Sequence, residues 1–190
     1  MKSYRLRTMV FLALCCDLGL FSKRIIAPFA NLITDALHIP GGIGTSFSLM
    51  FLVIAAAMTP HMFCGTIMGA VQSILALGFG MVGSMGALSP IGYIAPGIVI
   101  DLLFLFARNT PLPRREQIVL ANAMAAACAS LAANLIVFRL RGIVLLLYLC
   151  VSAVSGAMCG LLGDRVAERL EPVIGVRIQQ DNQRKEEAAI

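Results

Sequence analysis

The chain has 190 residues, of which 59% are hydrophobic and 13% charged, with a mean hydropathy of +0.88. Soluble domains carry ~45–50% apolar and ~25% charged residues, so this composition excludes a water-soluble globular domain and predicts one compact all-α membrane protein. The formal charge of +5 does not indicate nucleic acid, because lysine and arginine gather at the ends of apolar blocks, where lipid headgroups and the positive-inside bias account for them.

A spanning helix needs ~20 apolar residues, and six transmembrane helices are predicted between Thr8 and Gly163. The first covers about Arg7–Phe21. Lys2, Arg5 and Arg7 precede it as in a secretion signal, but no small-x-small cleavage motif follows, so it is read as a retained span. The stretch Ile25–Leu37 is too short to cross and is interrupted by Pro28 and Asp35. It is predicted to be a re-entrant or interfacial first outer loop, which implies a cavity nearby, since broken backbone survives at membrane depth only against protein or water. A seventh, irregular span is the alternative.

The second and third spans cover about Thr45–Met58 and Met62–Val82. A glycine-rich outer loop, Gly83–Gly92, leads to the fourth, about Ile91–Ala107. Pro111 and Pro113 then make Arg108–Glu116 a loop. The fifth and sixth spans cover about Gln117–Phe138 and Ile143–Gly163. Residues 1–163 are thus one membrane domain, and residues 164–190 are a nearly charge-balanced tail. With both termini in the cytoplasm, eleven basic residues fall inside, and four (Lys23, Arg24, Arg139 and Arg141) fall outside. That orientation follows the positive-inside rule.

The six cysteines all lie in apolar blocks without a CxxC pair, so they read as small hydrophobes rather than a disulfide framework or zinc site. Gly65/Gly69 and Gly156/Gly160 form GxxxG pairs, and Ala125, Ala129 and Ala133 share a face. Such small residues bring helices close in lipid; packing within the chain is expected over a dimer seam.

Asp17 and Asp101 are the costly residues, each about 15 Å from a span end at ~1.5 Å per residue. A carboxylate at the bilayer centre costs ~2.5–3.5 kcal/mol and so faces a partner or a cavity. Tyr93, Gly97 and Asp101 share one face. Asp101 either contacts substrate or protons, or is a structural carboxyl bonded to another helix; Asp17 reads as structure or subunit contact. Span 6 carries Tyr148, Ser152, Ser155 and Cys159 at helical spacing, span 5 carries Ser130 and Asn134, and span 3 carries Gln72 and Ser73. Tyr148 and Asn134 lie toward the outer ends, where they could converge with Tyr93, Ser89, Asp35 and His38; ordinary interhelical hydrogen bonds are the alternative. The two histidines, His38 and His61, fall on opposite sides and cannot share a metal. No phosphate loop, HExxH or GxSxG motif occurs, so no ATP hydrolysis, enzymatic activity or cofactor is expected of this chain.

Span 1 with Ala13-Leu-Cys-Cys-Asp17, the proline-containing loop ending Ile39-Pro-Gly-Gly42, the Gly83-Ser-Met-Gly-Ala-Leu-Ser89 loop and Gly92-Tyr-Ile-Ala-Pro-Gly-Ile-Val-Ile-Asp101 together resemble the S components of energy-coupling factor (ECF) transporters. The resemblance covers roughly residues 7–163. It implies capture of a vitamin or cofactor precursor at the outer face under a lid of the first and third outer loops, the latter containing Ser84. It implies docking on a coupling membrane subunit that carries two ATPase subunits, whose ATP hydrolysis topples the S component and delivers substrate inward. Many members dock through AxxxA on span 1; here Ala13 matches the first position, and Asp17 replaces the second. Without tryptophan, a site like the family's Trp-lined thiamine pocket is not expected. Residue 2 is Lys rather than the His of the nickel and cobalt members, which argues against metal. Lys23, Arg24, Arg139 and Arg141 at the outer mouth suit an anionic group, whereas Asp35 and Asp101 suit an amine. An autonomous proton-coupled transporter or channel using Asp101 is the competing function, and a structural membrane protein is a third.

Overall fold

The computed structural model describes residues 6–37, 43–59, 63–80, 86, 88–107, 112–136, 139 and 142–174. They form six helices: α1 (Leu6–Leu37), α2 (Ile43–Met58), α3 (Cys64–Gly78), α4 (Ser89–Ala107), α5 (Arg114–Ile136) and α6 (Ile143–Ile174). The all-α expectation and the order of six helices hold. By length and apolar character α4, α5 and α6 each suffice to cross a bilayer, while α2 and α3 are shorter apolar helices.

Two elements differ from expectation. The stretch Ile25–Leu37 is not a separate re-entrant loop; α1 runs unbroken for 32 residues with Pro28 inside it. Proline removes one backbone donor, but a membrane helix tolerates this where neighbours re-satisfy the freed carbonyl. Helix α6 also continues past Gly163 to Ile174. Its extension is braced to α5 by Arg114 Nη1 and Glu171 Oε2 at 2.9 Å and by Arg115 Nε and Asp164 Oδ2 at 3.9 Å.

Helix α2 is the hub and packs against all five others, while α1, α3, α4, α5 and α6 follow one another around it. Its burial reflects its composition: Leu52, Val53 and Ala55 have no exposed surface. Where helices touch, glycine permits it. A Cβ on Gly97 would stand 2.5 Å from the Gly65 carbonyl oxygen, and one on Gly69 would stand 2.5 Å from the Tyr93 carbonyl oxygen. A Cβ on Gly156 would meet Ala123 Cα and Ala126 Cβ, each at 2.8 Å. Both GxxxG pairs therefore serve seams within the chain, α3 on α4 and α6 on α5, as the sequence predicts.

Polar groups inside the bundle tie helices together. Asn122 has no exposed surface; its amide donates to the Gly156 carbonyl (2.7 Å) and the Ser46 carbonyl (3.4 Å), joining α5, α6 and α2. Ser46 and Ser155 share a 2.8 Å hydrogen bond, Ser48 donates to the Gly19 carbonyl at 2.7 Å, and Gln72 donates to the Cys16 carbonyl at 3.0 Å. With no water in the hydrocarbon, these donors must find acceptors within the protein.

The same contacts fix the heights of the helices. Call the end of the bundle holding Leu37, Ile43, Gly78, Ser89, Ile136 and Ile143 the upper end. Ser48 of α2 is level with Gly19 of α1, and Ser46 is level with Asn122 and Ser155. Helix α2 rises only to Ile43, about 5 Å above Ser46. From the matched levels α1 rises about 27 Å to Leu37, α5 about 21 Å to Ile136 and α6 about 18 Å to Ile143. Helices α1, α5 and α6 therefore stand above the first turn of α2.

Candidate functional site

The described contact residues predicted from sequence lie toward the upper ends of three helices, α4, α5 and α6. Ser89 and Tyr93 lie one turn apart at the start of α4, and both are buried. Asn134 is buried near the end of α5, where its amide donates to the Ser130 carbonyl (2.8 Å) and hydroxyl (3.1 Å). Tyr148 lies in the second turn of α6, half-buried, one turn above the buried Ser152, which donates to the Ala126 carbonyl at 2.8 Å. Each of these four residues lies in the upper half of its own helix, α4, α5 or α6. The side chain of Asp35 and all of His38, Ser84 and His61 lie outside the described residues.

What the structure adds is the position of Lys23, one of the four outer-mouth cations. It sits one turn above Gly19 on α1, half-buried. Its ammonium lies 3.4 Å from the Tyr93 hydroxyl and 4.4 Å from the centre of the Tyr93 ring. The next residue, Arg24, is exposed, so two adjacent cations point to different surroundings. The sequence reads Lys23 with Arg24 as a span-end cation at the outer mouth, suited to an anionic group; its inward turn is a tertiary fact with no local signature. The ring quadrupole attracts the ammonium, and the phenol oxygen accepts one of its three donors.

Asp101 stands apart from this group. It lies eight residues, about 12 Å, below Tyr93 on α4. Its carboxylate accepts hydrogen bonds from Gly65 N (2.8 Å), Thr66 N (2.7 Å) and Thr66 Oγ1 (2.6 Å). The reason is local. Helix α3 starts after Phe63, whose φ of 64° is left-handed and whose side chain provides no cap. The first turn of a helix carries unpaired N–H groups, and Asp101 supplies from α4 the acceptor that α3 lacks, at the positive end of its dipole. The Tyr93–Gly97–Asp101 face is thus the seam against α3. Of the two readings the sequence left open for Asp101, these contacts are those of a structural carboxyl bonded to another helix.

Ala13 and Asp17 lie in the first half of α1. Both are exposed, on a face of α1 that also exposes Val10, Leu14, Leu18 and Phe21. All six cysteines are free thiols.

No protein-family model matches the chain, and none of the curated proteins matches it. Among solved structures, an S-component of an ECF transporter superposes on it with a TM-score of 0.73 at 20% identity, covering 98% of this chain and 97% of that one. The chain therefore has the S-component fold, that of a multi-pass membrane protein, from one terminus almost to the other. At this identity the likeness establishes architecture, and what the pocket takes has to be argued from the residues.

Proposed function

We propose that the chain is the substrate-capture subunit of an ECF-type importer, binding a vitamin or cofactor precursor at the outer face and releasing it inward when coupled to a separate membrane subunit and its two ATPases. The fold shared over nearly all of both chains carries this reading. The upper end is then extracellular, with both termini in the cytoplasm. Ser89, Tyr93, Asn134 and Tyr148 contact the substrate, joined by Asp35, His38 and Ser84 from the first and third outer loops. Asp101 is outside this set, because its carboxylate is occupied by α3; the same occupancy weighs against a proton carrier there.

The test is extraction of the purified protein. One small polar metabolite is expected to copurify near stoichiometrically and to rebind without ATP. An empty protein that, alone in liposomes, accumulates solute along a proton gradient overturns capture in favour of autonomous transport.

Docking belongs to the exposed face of α1. Asp17 on that face is bare to hydrocarbon unless a partner covers it, and an exposed carboxylate at that depth is costly. A donor on the coupling subunit at the height of Asp17 relieves this cost. Asp17→Lys is expected to lower copurification with the coupling module at least tenfold, since a misplaced like charge at an interface costs several kcal/mol, while substrate affinity stays unchanged. Undiminished complex formation by that variant removes Asp17 from the interface.

A further inference from the structure

Lys23 is, among the described residues, a cation without a counter-charge. Among the described residues the ion pairs are Arg114 with Glu171 and Arg115 with Asp164, both at the lower end. The nearby acids are committed elsewhere: Asp101 caps α3, and Asp17 points out of the bundle. The ammonium is nonetheless deep. Lys23 is one turn above the Gly19–Ser48 level, and so about 15 Å below the start of α6, inside the run that α6 spans with apolar residues. It is turned away from the surface that its neighbour Arg24 reaches, so it does not snorkel along the lipid face as lysines near helix ends do. Intramembrane ionisable groups of this kind mark ligand or ion pathways.

We infer that Lys23 receives an anionic group of the captured compound, a carboxylate or a phosphate, with Tyr93 holding the ammonium in place from its ring and hydroxyl; this rests on the capture reading above. The geometry leaves the ammonium equipped for it. One donor goes to the Tyr93 oxygen at 3.4 Å, and two of the three remain. Ser89, one turn above Tyr93 on the same face of α4, adds a hydroxyl on the approach. The ring stabilises the cation in the empty state without neutralising it, so the anion contributes its full attraction when it arrives. A substrate whose only charge is an amine meets repulsion here. The positively charged mouth residues that the sequence places at this end then act as a gradient toward Lys23 rather than as membrane anchors alone.

The test compares charge, not identity. The full chain in phosphatidylcholine nanodiscs is titrated with matched pairs differing in one anionic group: nicotinate and nicotinamide, biotin and biotin amide, pantothenate and pantothenyl alcohol. Any compound extracted from the purified protein joins the panel with its neutral amide or ester. The acid of the binding pair is expected to bind about 10–100-fold tighter than its neutral partner, the range of a charge-assisted hydrogen bond. Lys23→Met is expected to erase that preference, and Lys23→Arg to keep most of it. The wild-type comparison stands by itself should Lys23→Met fail to fold.

Equal binding of acid and neutral partner, or a preference that survives in folded Lys23→Met, overturns the assignment and leaves capture intact. Loss of acid binding when phosphatidylglycerol replaces phosphatidylcholine assigns Lys23 to a lipid headgroup and likewise overturns it. A protein that binds no panel member and yields no extracted compound overturns both readings.

Discussion

Asp101→Ala is expected to lower the melting temperature of the detergent-solubilised protein by roughly 6–12 °C, equivalent to about 3 kcal/mol for a chain of this size. The variant removes three hydrogen bonds to one carboxylate. A lost helix cap alone costs ~0.5–2 kcal/mol, and bonds to a charged acceptor contribute ~1.5–3 kcal/mol each but not additively. The first turn of α3 has no substitute, because Phe63 offers no side-chain cap. Asp101→Asn keeps one acceptor oxygen and is expected to lose less than half as much. Substrate affinity, measured below the melting transition, is expected to be unchanged in both. This pattern separates a structural carboxyl from a proton carrier, for which Asp101→Asn destroys transport while stability is preserved. A wild-type melting temperature in Asp101→Ala removes the cap from the account.

Gly97→Val is expected to prevent accumulation of folded protein. Its Cβ meets the Gly65 carbonyl oxygen at 2.5 Å, the Gly65 carbonyl carbon at 2.9 Å and Thr66 Cα at 3.2 Å. All three are backbone atoms of α3, so no rotamer relieves the clash and the helices must separate by most of an ångström. Overpacking costs ~1–3 kcal/mol where side chains can yield and more where backbone must move. The same separation lifts Gly65 and Thr66 off Asp101, so the two defects compound. Gly78, on the same α3, has nothing within 4 Å of its added Cβ. Gly78→Ala is therefore expected to express normally and to melt no lower than wild type, alanine being the better helix former. Normal yield and melting for Gly97→Val remove the close crossing of α3 and α4 from the account.

Much of the architecture was legible because lipid imposes a simple rule. Apolar runs must become helices, and Pro111 with Pro113, or Gly83 with Gly86, must fall between them. The ends were less legible. Lys23 and Arg24 together look like the finish of a span, yet α1 continues through them and through Pro28, because Lys23 is sheltered against Tyr93. The nearly charge-balanced tail looks soluble from Asp164 onward, yet α6 continues because Asp164 and Glu171 face Arg115 and Arg114 on α5. Periodicity placed Tyr93, Gly97 and Asp101 on one face, but spacing does not say which neighbour that face meets; it meets α3, through backbone. Asn122 carried no warning in an alanine-rich run, although it joins three helices. The candidate site shares this limit. Ser89, Tyr93, Asn134 and Tyr148 could be chosen as polar residues toward one end, whereas the pairing of a lysine with an aromatic ring across 70 positions exists only in three dimensions.

The walls of this molecule are unequal in height. Helix α3 turns Ile67, Val71, Ile74 and Leu77 outward but has only 15 residues, about 22 Å of helix against a hydrocarbon thickness of ~30 Å. Beyond α2, the apolar part of α6, residues 143–163, runs about 31 Å. No flat bilayer fits both flanks: acyl chains must compress beside α3, or the whole body must lean toward it. Where the body takes up the difference by leaning, the chain length of the surrounding lipid sets how much work remains to tip it further.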